Sequence, residues 1–330
     1  MNGERYFVTG GTGCIGAWVV RNLVSGGYFT AVLDHGGSRH RLSMLLAEDE
    51  LSRVIFIPGN VADLAAVEKA LNLTEATNLI HLAALQLPFC KANPSQGALV
   101  NVVGTINIFE ACKKVGINKV VYASTTAVYG PKGAYPNRRL SSNVALNPGS
   151  HYGVYKRANE GNARVYWLDD GISSLGVRPY TVYGPGRDQG LTSSPTKAMI
   201  AAAIGRPYKI PFGGRYGFEF ADDVAKIFIA AAQATYEGAY SFSIGGKSTS
   251  TSEIINAIAR AEPTMRNKLS YDDKPLPFPE EFDDHEIVSL LGAIPRTKLE
   301  DGVSFTISAY RKEIADGRLN NKQLDALLSS

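Results

Sequence analysis

Tyr152 and Lys156 stand four residues apart in the stretch His151-Tyr152-Gly153-Val154-Tyr155-Lys156-Arg157. On a helix this spacing brings a phenol and an ammonium to one face. A free phenol, with a pKa of about 10, is a poor base at neutral pH. A fixed positive charge beside it favours the phenolate, which then takes a proton from a substrate hydroxyl while hydride leaves the same carbon for a nicotinamide. Surface helices also produce Tyr-x-x-x-Lys by chance, so the pair acquires meaning only beside a hydride acceptor. Thr9-Gly10-Gly11-Thr12-Gly13-Cys14-Ile15-Gly16 suits one, because Gly10, Gly13 and Gly16 fall at spacing three between a β-branched run and a helical pattern. Such glycines tighten a turn, admit a pyrophosphate to backbone N–H groups and let the helix pack closely on the sheet. Asp34 ends the next apolar run, where a carboxylate meets adenosine ribose hydroxyls and repels a 2′-phosphate. NAD is favoured over NADP on that ground. Ser38, Arg39, His40 and Arg41 follow closely and offer the opposing reading of a phosphate site.

These groups need a scaffold that brings distant segments to one edge. Short β-branched runs at 6–8, 31–33, 54–57, 79–81 and 120–123 alternate with helical stretches at 17–25, 64–71 and 96–115, with Asp63 as a cap. A further strand is predicted at 175–178, after the helix that starts near Tyr152. This rhythm predicts an α/β fold, a Rossmann-type doubly wound parallel sheet with a smaller mixed α/β substrate lobe. We expect the dinucleotide domain over 1–179 and the substrate lobe over 180–330. The Asp222-Asp223-Val224 segment and a strand near 240–244, within 218–245, are expected to return to the first lobe. From Tyr180 the texture changes to glycine, proline and aromatic clusters such as Gly184-Pro185-Gly186 and Pro211-Phe212-Gly213-Gly214.

Composition narrows the class. The 330 residues are 45% hydrophobic and 20% charged, as in ordinary globular proteins, with room for a large core. A net charge of +3 without any polybasic run argues against a nucleic-acid partner. Cys14, Cys90 and Cys112 are odd in number and lack metal-ligand spacing, so no metal site is expected and a reduced, cytoplasmic setting fits. No leader and no membrane-length apolar run is read in the chain, and a membrane partner is not expected.

The ordered motifs resemble those of the extended short-chain dehydrogenase/reductases, the group of NAD-dependent sugar epimerases and dehydratases. The resemblance spans nearly the whole chain. It rests on the glycine turn, Asp34, Gly59-Asn60-Val61, His81-Leu82-Ala83-Ala84, Asn101-Val102-Val103-Gly104-Thr105, Ser124 to Gly130, Tyr152 with Lys156, and Arg178 to Gly184. It implies that Cys14 and Ile15 border the cofactor with the glycines, and that Asn60 and Val61 border the adenine. Asn60 stands where the family often has Asp, and its amide oxygen can accept from an adenine amino group. Leu82, Ala83 and Ala84 would line the path from pyrophosphate to nicotinamide ribose. Lys156 would also hold the ribose hydroxyls, Tyr180 and Val182 would border the nicotinamide, and Asn101 is counted among the cofactor-binding residues while satisfying backbone beside this path. The family's catalytic Ser or Thr falls on Thr125, four residues before Tyr129, with Ser124 and Thr126 either assisting or capping. The resemblance also implies a homodimer, formed by the helices over 96–115 and 152–169.

Departures from the family pattern bear on the substrate. Thr126 and Ala127 occupy the places where 4,6-dehydratases carry an Asp-Glu pair, which argues against dehydration. Thr181 stands where many nucleotide-sugar enzymes have Asn, and Arg215 is one place displaced from their Arg-Asp pair, so a nucleotide on the substrate is in doubt. Gln86, Thr126, Thr181, Arg187 and Arg215 are the candidate contacts to a sugar-type substrate. Two active readings follow: an epimerase that oxidises and re-reduces a secondary alcohol of a sugar or nucleotide sugar, and a dehydrogenase or reductase of a non-nucleotide sugar, sugar acid or other polyhydroxylated molecule. A non-catalytic dinucleotide-binding protein is the third, and it would need none of Thr125, Tyr152 or Lys156.

Overall fold

A computed structural model describes residues 3–136, 139–246 and 248–329. Its central sheet has seven strands: β1 (Arg5–Thr9), β2 (Phe29–Asp34), β3 (Ile55–Pro58), β4 (Asn78–His81), β5 (Lys119–Ala123), β6 (Ser173–Arg178) and β7 (Ala239–Ser243). They run parallel in the spatial order β7-β6-β5-β4-β1-β2-β3. Chain order reverses between β1 and β4, and at such a switch point a crevice opens beyond the carboxyl ends of the strands. The fold is a Rossmann-type α/β sheet.

Strand periodicity divides the core into two layers. Tyr6, Val8, Val32, Ile80, Val121, Leu175 and Val177 face one side, where α1 (Cys14–Ser25) and a helix at Ala221–Gln233 cover them with Trp18, Val20, Val224 and Phe228. Phe7, Ala31, Leu33, Leu79, Val120 and Tyr122 face the other, beneath α2 (Leu64–Thr74), α3 (Gly104–Val115) and α4 (His151–Asp170). Asp63 caps α2 by accepting from Ala66 N, and Ser150 caps α4 by accepting from Gly153 N. The helix expected over 96–115 is interrupted: Pro94–Ala98 leads into a π turn at Leu99–Val103 before α3. That turn contains Asn101, and π turns often mark functional positions.

After β6 the chain forms short paired strands at Thr181–Tyr183 with Phe218–Phe220 and Tyr208–Ile210 with Leu269–Tyr271, interleaved with helices, and Glu281–Phe282 pairs back with Arg139–Leu140, which lies before α4. β7 returns to pair with β6 at the sheet edge. None of the helices among the described residues is long and apolar enough to cross a membrane.

One buried network ties the sheet to α3 and α4. His81 Nδ1 lies 2.6 Å from Thr9 Oγ1 and its Nε2 lies 3.1 Å from Thr105 Oγ1. Thr105 donates its own proton to Asn101 O, so Nε2–H must donate to Thr105 and Nδ1 must accept from Thr9. This wiring requires neutral imidazole, and burial, reinforced by the Lys156 charge, lowers the His81 pKa to about 3. Below pH ~6.5 the unfolded chain binds a proton that the folded chain refuses, so stability falls as pH drops toward the folded pKa. We expect a loss of about 2–3 kcal/mol between pH 7 and pH 4.5. Urea unfolding of the protein and of His81→Gln at both pH values checks this, because the variant must lose measurably less.

Candidate active site

A continuous cleft follows the carboxyl edge of the sheet. Its outer part, about 630 Å³, is lined by Thr12, Asp34, Asn60, Val61, Ala83 and Arg41. Its inner part, about 250 Å³, is lined by Thr125, Thr126, Tyr152, Lys156, Tyr180 and Val182. Gly10, Gly13, Cys14, Leu82, Ala84, Gln86 and Arg187 border both. Ile15 and Gly16 line the inner part.

The glycines are required by contact. Gly10 has φ +71°, and a Cβ there would sit 2.6 Å from Ala83 N. A Cβ on Gly16 would lie 2.1 Å from Gly10 O. The loop is therefore folded onto itself and onto the end of β4, leaving backbone and the first turn of α1 facing the cleft, an arrangement that favours a bound anion. Asp34 Oδ2 accepts from Thr12 N at 3.1 Å and Thr12 Oγ1 at 2.7 Å, so the carboxylate is held at the cleft wall. Asn60 Oδ1 accepts from Ala62 N at 3.0 Å, which spends one of its two lone pairs. This glycine cradle with a carboxylate at the end of β2 fits a dinucleotide lacking a 2′-phosphate.

The reacting end is assembled from β5, α4 and the loops after them. Gly153 makes this possible, because a Cβ there would meet Ala127 O at 2.2 Å; the first turn of α4 rests directly on the segment after Thr125. Tyr152 and Thr125 line the inner part together, and Thr125 Oγ1 accepts from Ala127 N at 3.1 Å. Burial pushes the Tyr152 phenol up to about 12, opposed by Thr125 and by the Arg187 charge. The expected lowering of the phenol by Lys156 is not what this arrangement gives. Lys156 Nζ donates to Ala123 O at 2.6 Å and lies 5.9 Å from the Tyr152 ring centre. Burial lowers its own pKa to about 8. Desolvation thus sets a protonated phenol beside a weakened cation.

Three of the expected contacts do not reach the cleft. Thr181 is fully buried, with Oγ1 lacking a partner, because strand alternation turns it away from the side on which Tyr180 and Val182 line the cleft. Arg215 is spent on Ser248 and on an ion pair with Glu253 at 2.9 Å. Asn101 uses its amide on the backbone of Leu85, accepting from N at 2.8 Å and donating to O at 2.9 Å, so it pins the β4 loop rather than facing a cofactor. Gln86, Thr126 and Arg187 do line the inner part.

Sequence reasoning missed several residues of the site. Leu87, Pro88, Gly190, Leu191, Thr192 and Phe278 complete the inner wall. Phe278 lies between Pro277 and Pro279, where no periodicity marks it. Glu160 was also missed, although it continues the Tyr152, Lys156 spacing by another four residues. It accepts from Ser124 Oγ at 2.5 Å and pairs with Arg178 through two 2.7 Å hydrogen bonds.

A switch-point cleft with a glycine cradle at one end and Thr125, Tyr152 and Lys156 at the other defines a dinucleotide-dependent hydride-transfer enzyme. The sequence model of the NAD dependent epimerase/dehydratase family matches residues 6–245, and the chain belongs to that family. Its cofactor is NAD. The chain is 30% identical to the UDP-glucose 4-epimerase of Mycolicibacterium smegmatis over 323 residues, covering 94% of this chain and 99% of that protein. The NAD complex of the UDP-glucose 4-epimerase of Thermus thermophilus superposes with a TM-score of 0.78 at 25% identity, covering 93% and 99% of the two chains. A partial-consensus L-threonine 3-dehydrogenase shares the fold, with a TM-score of 0.81 at 19% identity over 94% and 100%.

Proposed function

We propose that this protein epimerises a secondary alcohol of a sugar or nucleotide sugar by oxidation and re-reduction within one site. The carrying observation is the convergence of Thr125, Tyr152 and Lys156 on the inner cleft next to the glycine cradle. Near-complete alignment with a protein named UDP-glucose 4-epimerase supports the reaction class. When bound, NAD supplies a reversible hydride acceptor whose oxidised ring also brings a positive charge that favours phenolate. Tyr152 takes the proton from the substrate hydroxyl and returns it to the carbonyl oxygen. Thr125 Oγ1 orients that oxygen. Lys156 orders the inner cleft from its anchor on Ala123 O. The other cofactor contacts we assign are Gly10, Gly13, Cys14, Ile15, Gly16, Asp34, Asn60, Val61, Leu82, Ala83, Ala84, Tyr180 and Val182.

The test is incubation of purified protein with NAD and UDP-glucose, UDP-galactose, UDP-glucuronate and their free sugars, read by chromatography and at 340 nm. A stereoisomer without NADH accumulation supports epimerisation. Steady NADH release supports the dehydrogenase reading, which shares its fold with the threonine dehydrogenase.

We also take the protein to be a cytoplasmic homodimer. Val154, Val165 and Leu168 on α4 and Leu99 and Val103 on the preceding π turn are exposed apolar residues on the two helices that would pair.

A further inference from the structure

Arg187 is a cation in the inner cleft whose charge the protein leaves uncompensated. Among the described residues no carboxylate pairs with it. Its neighbour Asp188 is committed elsewhere, to Arg41 at 2.6 Å and His40 at 3.1 Å. The guanidinium makes one hydrogen bond, from Nη2 to Thr192 Oγ1 at 3.0 Å, while its Nε is buried without a partner. A guanidinium held like this at a cleft wall is under-satisfied until an anion arrives. The wall is shaped for one. Gly190, at φ +90°, stands between Arg187 and Gln86, and a Cβ there would come within 2.4 Å of Gln86 Oε1 and 3.4 Å of Arg187 Nη2. Any larger residue would push apart the two polar groups that face each other across this point.

Resting on the epimerase reading, we propose that Arg187 is a specificity residue that pairs with a carboxylate on the substrate sugar, so that the preferred substrate is a sugar acid of the hexuronate type. The position of the cation separates this from the diphosphate of a nucleotide sugar. Arg187 is near enough to Tyr152 for its charge to act on the phenol that handles the reacting hydroxyl. In a hexuronate, the carboxylate is borne by the carbon next to the one carrying the 4-hydroxyl, whereas the anomeric phosphate lies across the ring. Thr125, Tyr152 and Arg187 line the same inner part of the cleft, so a ring that offers its hydroxyl to Tyr152 sits beside the guanidinium. Planar guanidinium suits planar carboxylate, and lysine would not reproduce that fork.

The experiment compares matched acid and neutral partners on the NAD-loaded protein: glucuronate with glucose, galacturonate with galactose, and UDP-glucuronate with UDP-glucose. Binding is followed by calorimetry and turnover by chromatography, for the protein, Arg187→Gln and Arg187→Lys. The expected result is at least 100-fold tighter binding for the acid of a pair, reduced about 100-fold by Arg187→Gln, with the Kd of the neutral partner and the NAD Kd changing less than threefold; kcat is expected to shift on both partners, because the same charge acts on Tyr152. Free and UDP-linked acids distinguish whether the nucleotide adds affinity. Equal loss of affinity for acid and neutral partners, or no preference for the acid in the unaltered protein, overturns the inference. A weakened NAD Kd in Arg187→Gln also overturns it, because the cation would then serve the cofactor pyrophosphate. Epimerisation of neutral sugars alone sinks this inference and leaves the epimerase reading standing, whereas acid binding with no stereoisomer formed does the reverse.

Discussion

Tyr152→Phe is expected to lower kcat by about 10³, inside the ~10²–10⁴ range of a positioned acid–base group. The substitution removes only the hydroxyl from a partly buried ring at the cleft wall, so folding and NAD binding should be unchanged. Thr125→Ala removes a group that orients the same oxygen and should cost roughly 10-fold to 100-fold. The pH profile carries further information. Burial holds the phenol up at about 12 and brings the Lys156 ammonium down to about 8. Activity that depends on the ammonium should therefore decline above pH ~8 unless a bound ligand raises that value. Lys156→Met should remove this alkaline limb. Circular dichroism and cofactor titration beside the assay separate chemistry from folding, and a Tyr152→Phe protein retaining more than a tenth of kcat would remove Tyr152 from the mechanism.

Arg178→Met should produce the largest loss of stability. The Arg178 and Glu160 side chains are 4% and 8% exposed and joined by paired hydrogen bonds. Arg178 also donates to Tyr129 Oη and Ser142 O, each at 2.8 Å. Removing the guanidinium leaves a buried carboxylate with only Ser124 as a donor, and breaking such a pair costs about 3–5 kcal/mol. The corresponding fall in Tm is roughly 4–7 °C for a chain of 330 residues. Lys114→Met, which removes half of the exposed Lys114–Glu68 pair, should change stability by ~0–1 kcal/mol. Calorimetry on the two variants decides the matter, and equal shifts would show that the buried pair carries no special weight. Because Glu160 follows Lys156 by one helical turn and bonds Ser124 beside Thr125, kcat should also fall, but by less than in Tyr152→Phe.

Much of the fold was legible because strand and helix periods leave a direct trace in sequence. The β-branched runs matched the first five strands and β6 to within a few residues, and the strand expected near 240–244 is β7 at Ala239–Ser243. Asp63 and the glycine turn were visible for a similar reason, since a cap and a left-handed turn are each solved locally by particular residue types. The break in the helix over 96–115 was not visible. Nothing in Leu99–Val103 departs from helical pattern, and the π turn accompanies the pairing of Asn101 with a backbone segment 16 residues away.

The side-chain chemistry divides in the same way. Residue type and spacing alone determined that a phenol, an ammonium and a threonine hydroxyl accompany a dinucleotide cradle, because those groups act through short motifs with fixed local geometry. Tertiary structure alone decided how each is tuned and which candidates take part. It raised Tyr152 and weakened Lys156 through burial, turned Thr181 away from the cleft through strand alternation, and gave Arg215 to Glu253 while pairing Arg187 with no acid among the described residues. Desolvation and ion pairing depend on which distant segments pack around a group, and that information is spread over the whole chain rather than held beside the residue.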